Sequence, residues 1–290
     1  MTLKSAARKM LAPTGRVPAV RSGLRLLSRR GLLPHDFTKY IWPTDTFTVR
    51  VDDRASFRYE PAACDVVGRN LFWNDLMRWE AEAWREFVPF ARQAKGFLDI
   101  GAFTGSYTLA AAAANPLIRC VAFEPVVAVY ERLVQNVALN GYANRVKTVN
   151  AAVSDASGRA NFYVEDRPLP DTGHLDISLR GVEGRAGAWV EVATVAVEDA
   201  LPVSFEVDLV KIDVEDTEGP VVRGMAEVLR MHRPVVFIEM LATGSHAEAT
   251  AILAELGYRF FHLLPQGRVA IERPAPVLGD PHMNFLCLPS

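Results

Sequence analysis

The sequence predicts an α/β fold built on a doubly wound, mostly parallel sheet, with an N-terminal helical and hairpin extension. Three observations lead to it. From Gly96 onward, short apolar runs of strand length alternate with longer helical segments, the pattern of a parallel sheet covered on both faces. The first of these strands runs into a glycine turn, Gly101 to Gly105, that opens a helix. Later strands end in the acids Glu124, Asp213 and Glu239, at the carboxyl edge where open α/β sheets bind ligands.

The chain divides into an extension, residues 1–95, and a domain, residues 96–290. The extension opens on eight basic residues, Lys4, Arg8, Lys9, Arg16, Arg21, Arg25, Arg29 and Arg30, with no acid before Asp36 and no continuous apolar signal segment. Three readings stand for this start: a solvated helix packed on the domain, a transit-like segment, or peripheral membrane contact through residues 1–35. Phe47, Val49, Val51, Phe57 and Tyr59 alternate with polar neighbours around Asp52-Asp53-Arg54, which predicts a hairpin over 45–60. Leu71, Met77, Trp79, Ala83, Trp84, Phe87 and Phe90, set among charges, predict an amphipathic helical stretch over 70–94.

In the domain, strands are predicted at Phe97–Ile100, Cys120–Phe123, Val146–Asn150, Leu209–Ile212 and Val235–Ile238. Helices are predicted at Ser106–Ala114, stopped by Asn115-Pro116, and at Val126–Leu139, ended by Asn140-Gly141. A third opens at Pro220, with Val221, Val222, Met225, Val228 and Leu229 on one stripe, and a fourth covers Ala247–Leu256 before Gly257. Two late strands, Arg259–Leu264 and Asn284–Leu288, close the sheet with an antiparallel hairpin. Between the strands Ala160–Val164 and Val190–Val195, the stretch Glu165 to Ala188 is rich in Pro, Gly, Asp and Arg, and long irregular loops of this kind serve as lids.

Composition narrows the function classes. At 290 residues, 50% hydrophobic and 23% charged, the chain can bury a full core and is neither disordered nor low in complexity. A formal charge of −2 argues against a dedicated nucleic-acid binder. Cys64, Cys120 and Cys287 are odd in number and scattered, which argues against a disulfide framework or a cysteine zinc site and fits a reduced, cytoplasmic setting. The uncharged run Ile100 to Ile118 is as long as a membrane span, yet Gly101, Gly105, Ser106, Asn115 and Pro116 mark it as a buried turn and helix.

The chemistry concentrates at the strand ends. In Phe97-Leu98-Asp99-Ile100-Gly101-Ala102-Phe103-Thr104-Gly105 the glycines admit a ligand close to the backbone, and the following helix start favours an anion. A nicotinamide-binding turn has a second glycine where Phe103 stands, so the spacing argues against that cofactor. Asp99 beside this turn suits a ligand that carries an ammonium as well as a carboxylate, as S-adenosyl-L-methionine does. Glu124, ending the second strand before Pro125, is placed to accept both hydroxyls of a ribose. Asn150, Ala152 and Asp155, after the third strand, are candidates to border the base, against a plain turn built from Ser154-Asp155 and Ser157-Gly158. Asp213 ends the fourth strand, and Glu215, Asp216 and Glu218 follow it; such acids supply a general base, hold a divalent cation, or favour the helix that starts near Pro220. Glu239 repeats the pattern on the fifth strand, and His246 follows it at short range. No histidine spacing marks a metal site, and His174 falls in the lid stretch.

Taken in order, FLDIGAFTG, VAFEP, NAAVSD, LVKIDVE and VVFIEM resemble the FkbM family of S-adenosylmethionine-dependent methyltransferases over about residues 45 to 290. The resemblance implies a Rossmann-like, class I methyltransferase sheet of seven strands and O-methylation of a hydroxyl on a small metabolite, sugar or natural product. It implies that Asp99, Gly101 and Gly105, with Ala102 in the same turn, hold the methionine end of the donor, and that Glu124 holds the ribose. Glu80 matches a glutamate the family often has before the first motif. Two positions depart from the family pattern: Phe103 replaces an asparagine in GAN-x-G, and Asp216 replaces the glycine of KIDVEG.

The acceptor oxygen needs its proton removed as it attacks, and Asp213, then Glu239, then His246 are the candidate bases. Asp213 can instead ligate a cation that lowers the hydroxyl pKa. Two rival functions stand: a non-catalytic nucleoside-binding protein of the same fold, motivated by Phe103 and Asp216, and a nucleic-acid methyltransferase using the basic N-terminus. The absence of an N/D-P-P-Y tetrapeptide after the fourth strand counts against the second.

Overall fold

The computed structural model describes residues 18–30, 32, 38, 41–76, 79–166, 173–175, 187–242, 245–280 and 282–290. In chain order the extension forms α1 (Pro18–Arg29), β1 (Phe47–Arg50), β2 (Ser56–Tyr59), α2 (Val66–Asn74) and α3 (Ala81–Gln93). The domain continues with β3 (Gly96–Ile100), α4 (Ser106–Ala114), β4 (Arg119–Phe123), α5 (Val127–Leu139), β5 (Val146–Val149) and β6 (Ala152–Val153). Then come β7 (Gly158–Glu165), β8 (Gly173–Leu175), β9 (Gly187–Val195), α6 (Val197–Ala200), β10 (Leu209–Ile212), α7 (Glu218–Gly224) and α8 (Ala226–His232). The last elements are β11 (Val235–Glu239), α9 (His246–Glu255), β12 (Tyr258–Leu264), β13 (Gly267–Ile271) and β14 (Asn284–Pro289).

The central sheet has eight strands among the described residues, in the order β13-β12-β14-β11-β10-β3-β4-β5. The five from β11 to β5 are parallel, while β14 runs antiparallel to both β11 and β12. The run from β5 to β12 accounts for the seven strands expected of a class I methyltransferase sheet. The eighth, β13, was not anticipated; it pairs with β12 across a two-residue turn at Pro265-Gln266.

Alternation along the strands divides the core into two layers. Phe97, Cys120, Leu209, Phe237 and Leu286 face one layer, and Leu98, Val121, Val210, Val236 and Phe285 face the other. The extension belongs to the first layer. Trp84 of α3 stacks on Tyr107 of α4 at 3.8 Å between ring centroids, and Phe87 packs edge-on against Phe97 and Phe237. The β1–β2 hairpin is tied to α5 by Asn140, which accepts from the Arg58 N–H and donates to the Arg58 carbonyl, both at 2.7 Å. In the second layer, Val221, Val222, Met225, Val228 and Leu229 are all buried, as their stripe predicts.

Three expectations needed correction. The 70–94 stretch is two helices, broken at Asp75, whose φ of +51° ends α2. The helix from Pro220 begins at Glu218 and is divided at Met225, next to Gly224, where a Cβ would stand 2.3 Å from the Ser154 carbonyl oxygen. The strands flanking the lid stretch are longer than predicted and form a second, four-stranded sheet, β6-β9-β7-β8. The lid's residues 167–172 and 176–186 lie outside the described residues, as do residues 1–17 of the basic start. No helix among the described residues is long and apolar enough to cross a membrane, and the three cysteines are free.

Candidate active site

A cavity of about 320 Å³ opens at the carboxyl ends of β3, β4, β10 and β11. That is the low end of the range for small-molecule sites, about 300–1,000 Å³. Its floor is the Gly101 turn. Gly101 has a φ of +80°, and a Cβ there would stand 1.8 Å from the carbonyl oxygen of Asp213, so only glycine lets β3 and β10 close this tightly. The N–H groups of Gly101 and Ala102 donate to the Phe123 carbonyl at 3.1 and 2.9 Å, which ties the same turn to β4.

Backbone donors fix the Glu124 carboxylate. One oxygen accepts the Phe103 N–H at 3.1 Å and the other the Val126 N–H at 2.8 Å. Burial nevertheless pushes its pKa up to about 7, against those two donors. Asp99 is held from beneath by Thr108, whose N–H and hydroxyl donate to one carboxylate oxygen at 2.9 and 2.6 Å. Burial raises its pKa to about 6. Ala102, Ala151, Ala152 and Phe162 continue the wall toward the second sheet.

The opposite wall is acidic. Glu80 sits left-handed at φ +50° just before α3, and its carboxylate accepts the Tyr107 hydroxyl at 2.7 Å. Oxygens of Glu80, Asp213 and Glu239, all half-buried, lie within 4.8 Å of one another. Among them stands Lys211, 1% exposed, whose Nζ donates to Asp213 at 3.3 Å and to Asn284 Oδ1 at 3.4 Å. In the strand register Lys211 also pairs with Asp99. Burial works against the Lys211 charge, but Asp213, Glu80 and Glu239 outweigh it and hold the ammonium above the ordinary lysine range. Asp213's charge first, and burial second, push the Glu239 carboxyl well above the usual carboxylate range. Burial raises Glu80 as well. One buried ammonium among these acids leaves the wall receptive to further positive charge.

Of the residues singled out in the sequence, Glu80, Asp99, Gly101, Ala102, Glu124, Ala152, Asp213 and Glu239 meet at this cavity. Phe103 and Glu215 line it too, while Asp216, Glu218 and four others stand outside its lining. Gly105 supports the turn from behind, where a Cβ would meet Leu133 at 2.7 Å. Asn150 braces the end of β4, its amide donating to the carbonyls of Glu124 and Pro125 at 2.8 and 3.0 Å. Asp155 is ion-paired at the surface with Arg223 at 2.8 Å, which accounts for its lowered pKa. His246 begins α9 with its Nδ1 buried, away from the cavity. The side chain of His174 lies outside the described residues. Sequence reasoning missed Lys211, Tyr107, Trp79 and Phe162. For Lys211 the signal was there: a lysine inside the apolar run Leu209-Val210-Lys211-Ile212 must find buried partners.

No functionally curated protein matches the sequence. Among solved structures, the methyltransferase FkbM from Methylobacillus flagellatus KT aligns at a TM-score of 0.45 and 13% identity, over 78% of this chain and 56% of that one. This chain thus spans little more than half of that protein. A precorrin-6y C5,15-methyltransferase from Geobacter metallireducens aligns at 0.42 and 15% identity, over 73% and 88%. A SAM-dependent O-methyltransferase from Thermotoga maritima aligns at 0.40 and 14%, over 73% and 65%. The model of the methyltransferase FkbM domain matches residues 99–260, more than half of the sequence and the segment that carries the Gly101 turn, Glu124, Asp213 and Glu239. The chain belongs to the FkbM methyltransferase family.

Proposed function

We propose that the protein transfers a methyl group from S-adenosyl-L-methionine to a hydroxyl of a small metabolite, sugar or natural product. One observation carries the reading: the Gly101 turn and Glu124, suited to an amino-acid-bearing nucleoside, share a cavity with the carboxylates Asp213 and Glu239. The residues present fit the donor. Glu124, fixed by two N–H groups, has oxygen lone pairs left for ribose hydroxyls, and the acidic wall suits a ligand with a sulfonium and an ammonium. When bound, the donor supplies a methyl carbon made electrophilic by its sulfonium.

The protein's own residues then have three tasks. The cavity wall aligns the acceptor oxygen and excludes water, with Phe162 and Trp79 as its apolar surfaces. Asp213 takes the acceptor's proton as the oxygen attacks, and Lys211 fixes the orientation of that carboxylate. Glu239, whose carboxyl favours its protonated form beside Asp213, donates a hydrogen bond to orient the acceptor.

Calorimetric titration with S-adenosyl-L-methionine and S-adenosylhomocysteine tests the donor assignment. Wild type is expected to bind both, and Glu124→Ala to lose about 1–3 kcal/mol of affinity, the cost of leaving buried partners unpaired. Absence of binding to either ligand would overturn the reading. For catalysis, Asp213→Asn is expected to bind the donor yet lose about 10²–10⁴-fold in turnover with a hydroxyl acceptor found by screening. Unchanged turnover would assign the base elsewhere.

A further inference from the structure

The first helix packs Leu24 on the core, yet it also turns arginines inward and leucines outward. Arg21 and Arg25 face the protein: Arg21 is buried, ion-paired with Asp45 and bonded to Thr44 at 2.6 Å. Arg25 pairs with Asp75 at 3.2 Å, donates to the Thr48 carbonyl at 2.7 Å, and lies over the rings of Phe47 and Phe72. Ser28, on the same side, is buried as well. The opposite side carries Val20, Gly23, Leu27 and Arg30 at helical spacing with Leu26 beside them. There Val20 is 41% exposed, Leu26 52% and Leu27 41%, and just past the helix Leu32 is 67% exposed. A helix lying on a domain in water has the reverse arrangement, apolar inward and charged outward.

We infer that α1 docks the protein on an anionic lipid bilayer, with Val20, Leu26, Leu27 and Leu32 entering the boundary between headgroups and acyl chains. Charge selects this occupant. By sequence, residues 1–35 carry eight basic residues and no acid, and the acids that pair with Arg21 and Arg25, Asp45 and Asp75, lie outside that stretch. An apolar stripe with the exposed Arg30 beside it, in a segment this basic by sequence, matches a surface of lipid phosphates over hydrocarbon. A second copy of the chain would bring the same basic stretch against itself, and a nucleic acid has no use for exposed leucines. A short amphipathic helix of this kind lies in the plane of the interface.

The test is co-sedimentation of the full chain with vesicles of phosphatidylcholine alone and of phosphatidylcholine mixed with phosphatidylglycerol. Binding is expected only to the mixed vesicles, weakening as salt is raised. Arg30→Gln should lower the partition coefficient about fivefold. Leu26→Ser combined with Leu27→Ser should lower it more than about tenfold. Both variants change exposed side chains, so their thermal melts and their affinity for S-adenosylhomocysteine should match wild type. The inference is overturned if the protein ignores both vesicle types, if it binds neutral and anionic vesicles equally, or if the leucine variant keeps its affinity. A leucine variant that instead converts a dimer to a monomer by light scattering assigns the stripe to self-association. Retention on RNA without vesicle binding assigns the basic stretch to nucleic acid.

Discussion

Phe103 and Asp216, the two departures from the family pattern, both occupy left-handed backbone, at φ +51° and +71°. The pattern has asparagine and glycine there, residues that enter this region at low cost. Their substitution therefore reads as stored strain beside the cavity rather than as altered chemistry. Phe103→Asn is expected to raise the unfolding free energy by about 0.5–1 kcal/mol in urea denaturation; a loss of stability would show that the ring's contacts outweigh the strain. Lys211 presents the opposite case, a buried charge whose partners are all in place. Lys211→Met should destabilise by about 3–5 kcal/mol at neutral pH, because Asp213 loses its ion-pair partner among other acids. Of the acids around the lysine only Asp213 lies near it in sequence; Glu80, Asp99 and Glu239 come from separate segments that only the folded sheet assembles.

Elements that are apolar and bounded by clear turn residues were legible in the sequence, and short exposed ones were not. The helix Ser106–Ala114 and the strand Leu209–Ile212 fall where the sequence predicts, because each is bounded by turn or capping residues and fully committed to the core. The short strands β8 and β13 escaped notice. The middle three residues of β13 are exposed, so its side chains carry no alternation to read. Glu124, Asp213 and Asn150 each stand one residue past a strand, yet the first two line the cavity while the Asn150 amide turns back onto the carbonyls of Glu124 and Pro125, a direction the turn sets and the sequence does not show. At the junction of β3 with β10, Gly101→Ala should cost about 2 kcal/mol or more and abolish donor binding, since the new methyl must push the two strand ends apart. Wild-type melting and titration in this variant would refute the close approach.

Across the whole molecule, buried carboxyls set the pH response. Asp99 is pushed up to about 6, and Glu124 and Glu218 to about 7, burial being the first cause in each. Each group holds its proton more tightly folded than unfolded. The stability they contribute is therefore full below the ordinary carboxylate range and is lost as pH climbs through 6 and 7. The ligand-free protein should melt at falling temperature from about pH 5 to pH 8, and Glu124→Gln should flatten that slope. A melting temperature that rises over the window would contradict the assignment. The strand order bears on synthesis. Because Asn284–Pro289 lies between β11 and β12, a chain leaving the ribosome can pair β3, β4, β10 and β11 while the 258–271 hairpin still lacks its neighbour. Until those residues emerge, two interior edges of the sheet stand open as templates for other chains. A premature stop just before Asn284 should accordingly yield inclusion bodies, not a slightly smaller protein.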